Sequence, residues 1–465
     1  MTDRLRETLH AAAADVPAYP VYERALATAR RSRRRAVVAA VVVLVLATLT
    51  GAVLPLTRTP VVDPAAGADA ALPDRIALPP LGALHATDRP RLGPASVIFS
   101  GQARRLQGWD EDGIVGVVSA DSDRYRIFSM GYEAPVGEQV ILSPDGRYVA
   151  RPAGLSEDGR VDLIDLVTGR TRRLHSKVTN SVGTSPRAWS PDGRQLVVDD
   201  TVPTDPTRSG YRRVLSIVTL DGERWTQLAD AAQQPIFGSS VAFAPGGGRL
   251  AYQIGRTVTV ADPDGRTVST FELPAESWLA GKGAWTTDGA LTLISRKAGS
   301  TDWSLRRVDS ATGRNTAPLP VPGVTGVTAI RLLGWGPDGS ALVVAYQPEP
   351  LSPDRFDQPL ELDQRTAYPN VRGVRVLALT PDASAPRTVM TAPEQILAVD
   401  VADTVISAGR TRAADPAGGL GGRFWFWTIL ITVVVAGVVV YRNRRGLALW
   451  LDDRRVRRAR GPDPK

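Results

Sequence analysis

The chain has 465 residues, 43% of them hydrophobic, enough to bury a large core, and its lack of cysteine excludes disulfides and thiolate metal sites. The net charge of +8 is concentrated at the ends. Residues 1–35 carry eight Arg against four acidic residues, residues 442–465 carry nine Arg and Lys against three Asp, and the stretch between is left near −2. That middle has no basic field, so no nucleic-acid partner is expected.

Residues 1–35 form an Arg-rich N-terminal segment in which Leu5, Leu9, Ala12 and Ala13 have the spacing of an amphipathic helix, interrupted at Pro17 and Pro20. Residues 36–56 are read as a first transmembrane helix. The uncharged run from Ala36 to Leu54 rises about 28 Å as a helix, close to the hydrocarbon thickness of a bilayer. The arginines from Arg30 to Arg35 place the N-terminus in the cytoplasm by the positive-inside rule. Residues 57–94, with Pro60, Pro64, Pro73, Pro79, Pro80 and Pro90, have the composition of a semi-extended stalk.

From residue 95 to residue 408 one element recurs. Leu142-Ser143-Pro144-Asp145-Gly146-Arg147 returns as Trp189-Ser190-Pro191-Asp192-Gly193-Arg194 and as Trp335-Gly336-Pro337-Asp338-Gly339-Ser340. Trp285-Thr286-Thr287-Asp288-Gly289-Ala290 and Phe243-Ala244-Pro245-Gly246-Gly247 are looser copies. Pro presets φ, Asp accepts local amide bonds and Gly takes the positive φ at the exit of a turn. An apolar run after each turn completes a β-hairpin, and second hairpins follow at Thr168-Gly169, Asp264-Gly265 and Thr312-Gly313. The copies lie roughly 42 to 54 residues apart, the spacing of four-stranded propeller blades. The expected fold is therefore all-β, a six-bladed β-propeller. Strands from both ends of the domain close the ring: Ile114–Val118 and Tyr125–Phe128 from one end, Ile396–Val399 and Thr404–Ile406 from the other. Seven blades is the alternative if residues 95–107 begin one of their own.

The pattern aromatic-Ser-Pro-Asp-Gly-Arg, an apolar strand, then a strand ending in Asp-x-x-Thr-Gly resembles the WD-type repeat of TolB-like propellers. That resemblance covers roughly residues 95–408 and departs from the family at Gly246 and at Thr287. It implies the fold and a habit of binding proteins, and no reaction. The N-terminal segment resembles the short cytoplasmic segments that precede the first membrane helix in actinobacterial regulatory proteins, some of them anti-sigma-like. The match rests on its length, Arg-richness and Ala content.

Residues 409–423 form a Gly-rich linker, and residues 424–441 a second uncharged run opened by Phe424, Trp425, Phe426 and Trp427 and closed by Tyr441. Aromatic side chains favour the lipid–water interface, and Arg442, Arg444 and Arg445 follow at once, so a second transmembrane helix is expected. Residues 442–465 are a basic cytoplasmic tail suited to anionic lipid. The expected protein is a two-pass cell-membrane protein with both termini cytoplasmic and the propeller extracytoplasmic, the first span acting as a signal anchor.

The only histidines are His10, His85 and His175, too few within the propeller for a triad or a His-based metal site. No cofactor, no metal and no enzymatic activity are expected. Asp145, Asp192, Asp288 and Asp338 belong to the repeated turn, and Asp121, Asp123, Asp262 and Asp264 to other turns. Two insertions between second and third strands stand out, on one rim opposite the Pro-Asp-Gly turns. One offers Asp200, Arg208, Tyr211 and Arg212, and the other Asp354, Phe356, Asp357, Glu361 and Tyr368. The expected function is a membrane-anchored module binding an envelope protein or ligand, as sensor or scaffold, with a cytoplasmic partner for residues 1–35. The alternatives are an envelope hydrolase or lyase using carboxylates in the propeller channel, and an anti-sigma-like regulator.

Overall fold

The computed structural model describes residues 6–8, 70–101, 114–130, 135–153, 159–231, 241–348, 371–415 and 420–442. Two compact units divide the chain. Residues 63–422 form one, and residues 1–62 with 423–465 form the other.

The larger unit is a six-bladed propeller. β1 (Leu72–Pro73) precedes the ring, and β2 (Ala95–Gly101), β3 (Ile114–Ser119) and β4 (Tyr125–Ser129) supply three strands of the first blade. The second blade holds β5 (Ile141–Leu142), β6 (Tyr148–Pro152), β7 (Arg160–Asp165) and β8 (Thr171–His175). The third holds β9 (Gly183–Trp189), β10 (Gln195–Pro203), β11 (Tyr211–Thr219) and β12 (Arg224–Ala231). The fourth holds β13 (Val241–Phe243), β14 (Leu250–Ile254), β15 (Thr257–Ala261) and β16 (Thr267–Glu272). The fifth has β17 (Ser277–Leu279), β18 (Leu291–Arg296) and β19 (Trp303–Val308), and the sixth has β20 (Ala329–Trp335), β21 (Ala341–Pro348), β22 (Val371–Leu379) and β23 (Arg387–Thr391). β24 (Ile396–Val401) then returns as the innermost strand of the first blade, pairing antiparallel with β2 from Val97↔Val401 to Gly101↔Ile396. Apolar side chains between neighbouring sheets form the core, with Phe99, Phe128, Ile164, Leu196 and Leu215 fully buried.

The repeated turn is a hydrogen-bonded unit. Ser143 Oγ donates to Asp145 Oδ1 at 2.6 Å and accepts the Tyr148 amide at 2.8 Å, while Asp145 also takes the Arg147 amide at 3.0 Å. Ser190 and Asp192 repeat that pattern, and Thr286 donates to Asp288 at 2.5 Å. The following Gly has positive φ in every copy, from 69° at Gly193 to 83° at Gly289, a conformation Cβ-bearing residues rarely adopt. In the fourth blade Ala244 has no hydroxyl and Gly246 no carboxylate, so backbone bonds alone close the turn, among them Gly247 to Ala244 at 2.8 Å.

The six-bladed expectation stands and its seven-bladed alternative falls, while two other features differ from the expected architecture. Ala95–Gly101 begins no seventh blade, because its pairing partners are already the inner and third strands of the first. Thr404–Ile406 is not a strand but lies in the short helix α1 (Asp403–Ala408), closed by Gly409 at φ 63°. The helix follows because β24 has already filled the inner position, and Ile406 then packs on Gly334 of β20. The fifth blade lacks a fourth strand. The segment Pro318-Leu319-Pro320-Val321-Pro322 that passes β19 has too few N–H donors for a ladder, and only Val308↔Asn315 and Trp303↔Val324 bridge.

The described part of the expected stalk, residues 70–94, is ordered against the propeller. β1 pairs in parallel with β25 (Thr411–Arg412), and Leu72, Ile76, Ala86 and Leu92 are buried. The Arg412 guanidinium pairs with Asp123 at 2.6 Å, so one Asp expected to belong only to a turn also straps this segment to the first blade.

In the smaller unit, α2 (Gly422–Arg442) is long and apolar enough to cross a membrane and is apolar on all faces. Its 21 residues rise about 31 Å. Thr428 and Thr432 donate their hydroxyls to the carbonyls four residues earlier, at 2.8 and 2.7 Å, so neither hydroxyl lacks an acceptor. Two membrane helices were expected. α2 is the one apolar helix among the described residues, and 36–54 lies outside them, so neither the first span nor the two-pass topology follows from the structure.

Asp400 of β24 joins the ring closure to its neighbours, accepting the Leu142 amide of the second blade and facing Lys282 of the fifth. Asp400→Ala, which strands buried cations, is expected to lower the unfolding free energy by about 3 kcal/mol, and Asp400→Asn by less. Urea denaturation monitored by tryptophan fluorescence measures both.

Candidate functional site

Inner strands run side by side about the ring axis, and their polar residues meet in one network. Asp400 Oδ2 accepts the Leu142 amide of the second blade at 3.1 Å, and its Oδ1 lies 3.0 Å from Lys282 Nζ of the fifth. Lys282 also pairs with Asp403 of α1 at 2.8 Å. Arg331 of β20 donates to the carbonyls of Val399 at 2.5 Å and Gly137 at 3.0 Å, and to the Tyr346 hydroxyl at 3.3 Å. Arg187 of β9 reaches the Glu138 carbonyl at 3.2 Å and the Asp199 carboxylate at 2.6 Å. Burial lowers the Lys282 pKa, but Asp400 and Asp403 outweigh it and hold the amine above its ordinary value. Burial raises the Glu138 carboxyl against the opposing charges of Arg331 and Arg187. Among the described residues no three His, Asp or Glu gather as a metal would require. The network can therefore carry charge and hold the ring, and its carboxylates face cations.

The expected binding residues fall into two groups. Asp200 is not a loop residue: it sits inside β10, fully buried, where Ser181 and Thr184 donate to its Oδ1 at 2.8 and 2.5 Å. Neighbouring blades cover both faces of β10, so a residue in the middle of the strand is buried whichever way it points, and the polar character of the segment concealed this. Its neighbour Asp199 is equally buried and pairs with Arg187 and Arg213. Arg208, Tyr211 and Arg212 remain at the rim. Arg208 lies in the hairpin tip at φ 56°, Tyr211 is 40% exposed at the start of β11, and Arg212 pairs with Asp230. Asp205 organises the tip by accepting bonds from the Thr207 hydroxyl, the Ser209 hydroxyl at 2.8 Å and the Gly210 amide at 3.0 Å. Those donors hold its carboxyl well below the usual carboxylate range. Asp354, Phe356, Asp357, Glu361 and Tyr368 lie outside the described residues.

Strand length shapes this rim. β10 and β11 have nine residues each, and β21 and β22 have eight and nine, against five and six for β6 and β7 and five each for β14 and β15. Three or four extra residues at about 3.3 Å each raise a hairpin by roughly 10 Å. The third and sixth blades are three steps apart in a ring of six, so the two tall strand pairs stand on opposite sides of the ring. Sequence reasoning found both insertions but not their opposition.

No protein-family model matches the chain, and no curated protein matches it. Solved structures do. The propeller domain of the Trilobed protease from Pyrococcus furiosus is 12% identical, with 55% of this chain and 70% of that chain covered and a TM-score of 0.32. TolB from Acinetobacter baumannii is 14% identical over 64% and 67%, with a TM-score of 0.34. A puromycin hydrolase is 16% identical over 70% of this chain and 54% of its own, with a TM-score of 0.36. The six blades of this chain follow from its own sheets, and TolB is among the propellers it is similar to. The expectation that it is not an enzyme is corrected, because hydrolases stand among those neighbours and the fold does not set binding apart from catalysis.

Burial raises the Asp200 pKa above its unfolded value, so the folded state binds more protons there. That contribution to stability grows as pH falls through the raised pKa and fades as pH rises above it. The difference in unfolding free energy between Asp200→Asn and the parent is expected to widen in favour of the variant from acid to neutral pH. Denaturant titration at several pH values measures this.

Proposed function

We propose that this chain is a membrane-anchored binding module whose recognition surface is the rim carrying the tall β10–β11 and β21–β22 strand pairs. The observation that carries the reading is their placement across the ring from one another, which leaves a broad seat between two raised walls. Arg208, Tyr211 and Arg212 supply one wall. Asp354, Phe356, Asp357, Glu361 and Tyr368 belong to the connection that continues the other. Aromatic and Arg side chains on rigid supports are the usual anchors of protein recognition. A protein or ligand of the envelope fits this reading.

In the same proposal α2 is one span and residues 36–54 the other, so both Arg-rich ends face the cytoplasm and the propeller lies outside it. The N-terminal segment then meets a cytoplasmic partner, as its likeness to anti-sigma-like regulators of actinobacterial type suggests. The apolar faces of α2 and the arginine clusters beside both runs support this arrangement. Hydrolysis at the ring axis is a second reading, in which the Asp400 and Asp403 carboxylates are the reacting groups and the Lys282 ammonium between them positions both. Release of product from ester or peptide substrates, lost in Lys282→Met, is its test.

A photo-crosslinker at Tyr211 in intact cells is expected to trap a partner. Capture should fall at least tenfold in Arg208→Glu/Arg212→Glu and on deletion of residues 350–368. Undiminished capture in both would refute the rim assignment. Reporters fused at Met1 and Lys465 are expected to give cytoplasmic signals, and an external signal from either overturns the two-pass reading.

A further inference from the structure

The opposite rim carries a second feature, independent of the proposed recognition surface. Between the second and third blades, beside the Pro-Asp-Gly turns, lies a cleft of about 500 Å³. Its walls include Arg147, Arg170, Arg172 and Arg194, opposed by Asp165 and Asp221. Arg147 is committed to Asp165 at 2.8 Å, and Arg172 to Glu223 at 3.0 Å and the Leu220 carbonyl at 2.8 Å. Arg170 and Arg194 are exposed, and among the described residues neither guanidinium has a hydrogen-bond or ion-pair partner. Arg194 faces Asp192 only through space, that carboxylate being occupied by the Ser190 hydroxyl and the Arg194 amide. Asp221 is the one acidic wall residue without a cationic partner.

A separate observation concerns the aromatic residue that precedes each turn. In the fifth blade the Trp285 indole N–H donates to the Ala242 carbonyl of the preceding blade at 3.0 Å, and in the sixth Trp335 donates to Gly283 at 3.0 Å. Trp189 holds the equivalent place in the third blade and is 8% exposed, yet its indole N–H is buried with no acceptor. It stacks on Tyr148 at 6.3 Å instead, and Tyr148 carries the Arg147 guanidinium over its ring at 5.0 Å. Trp189 also lines the cleft. Trp225, packed at the same interface, likewise leaves its indole N–H without an acceptor, and buried donors without partners are destabilising, so an acceptor brought to this interface is favoured.

We infer that this cleft binds an oxyanion, a phosphate group foremost, clamped by Arg170 and Arg194. Planar guanidinium forks match phosphate oxygens two at a time, and the two free forks are already paid no penalty of a broken ion pair on binding. Arg147 and Arg172, held by their own carboxylates, shape the walls. The cleft exceeds the volume of the anion itself, so the phosphate belongs to a larger molecule or to a lipid headgroup.

The test uses the full chain in nanodiscs of zwitterionic lipid, titrated with inorganic phosphate and followed by tryptophan fluorescence and calorimetry. Saturable binding is expected, weakening with added chloride and falling at least tenfold in Arg170→Ser/Arg194→Ser, two exposed positions whose replacement removes no contact. Arg173→Ser, which removes a nearby guanidinium paired with Asp162 outside the cleft, is expected to bind as the parent does. Trp189→Phe should abolish the fluorescence change while calorimetry still reports binding. Nanodiscs containing phosphatidylglycerol separate the sources: competition with inorganic phosphate identifies a headgroup, and its absence a soluble phosphate. The inference is overturned if phosphate does not saturate, or if the double variant and the parent bind alike.

Discussion

Closure of the ring is the constraint on which the rest depends. A propeller sheet buries both faces only when it has neighbours on each side, so an open ring would leave two sheet faces wet. Here the last inner strand, β24, enters a blade whose other three strands were laid down some three hundred residues earlier in the chain. Asp400 is the residue that couples this seam to the ring: one oxygen takes an amide of the second blade and the other faces the fifth blade's Lys282. Arg331 ties the same strand to the sixth blade and to the turn at Gly137. Such groups are costly to bury singly, and together they specify one arrangement.

That closed scaffold gives the two rims different characters. On one, the repeated turns are short and self-satisfied, each Asp occupied by its own Ser, Thr or backbone amides. The turns satisfy most of their own donors, and between the second and third blades the cleft adds the guanidinia of Arg170 and Arg194 and the orphaned indole N–H of Trp189, with that of Trp225 at the same interface. On the other rim, longer strands carry the third and sixth blades upward. Their bases are held by buried polar contacts, with Asp199 between Arg187 and Arg213, so the raised strands are rigidly founded and their tips are free to differ.

Much of the fold was legible in the chain because a turn has local chemistry. Pro, Asp and Gly at fixed offsets located five blades, and alternation located most strands between them. The sixth blade was legible only as leftover strands at both ends. The fate of Thr404–Ile406 was not legible, since three β-branched or β-favouring residues suit a strand until another strand already occupies the position. The candidate site was read less completely. Asp199 and Asp200 look like loop residues beside a polar insertion, whereas a strand covered on both faces and the partners Arg187, Ser181 and Thr184, twelve to nineteen positions away, make them interior.

What the sequence alone determined was the repeat, the class of fold and the apolar run that becomes α2, because each rests on interactions among near neighbours or on composition. Only the tertiary structure decided which strand closes the ring, that residues 70–94 lie along the propeller, and that Trp189 lacks the acceptor its counterparts have. These depend on groups brought together from distant parts of the chain, and their spacing in sequence carries no trace of the distance between them in space.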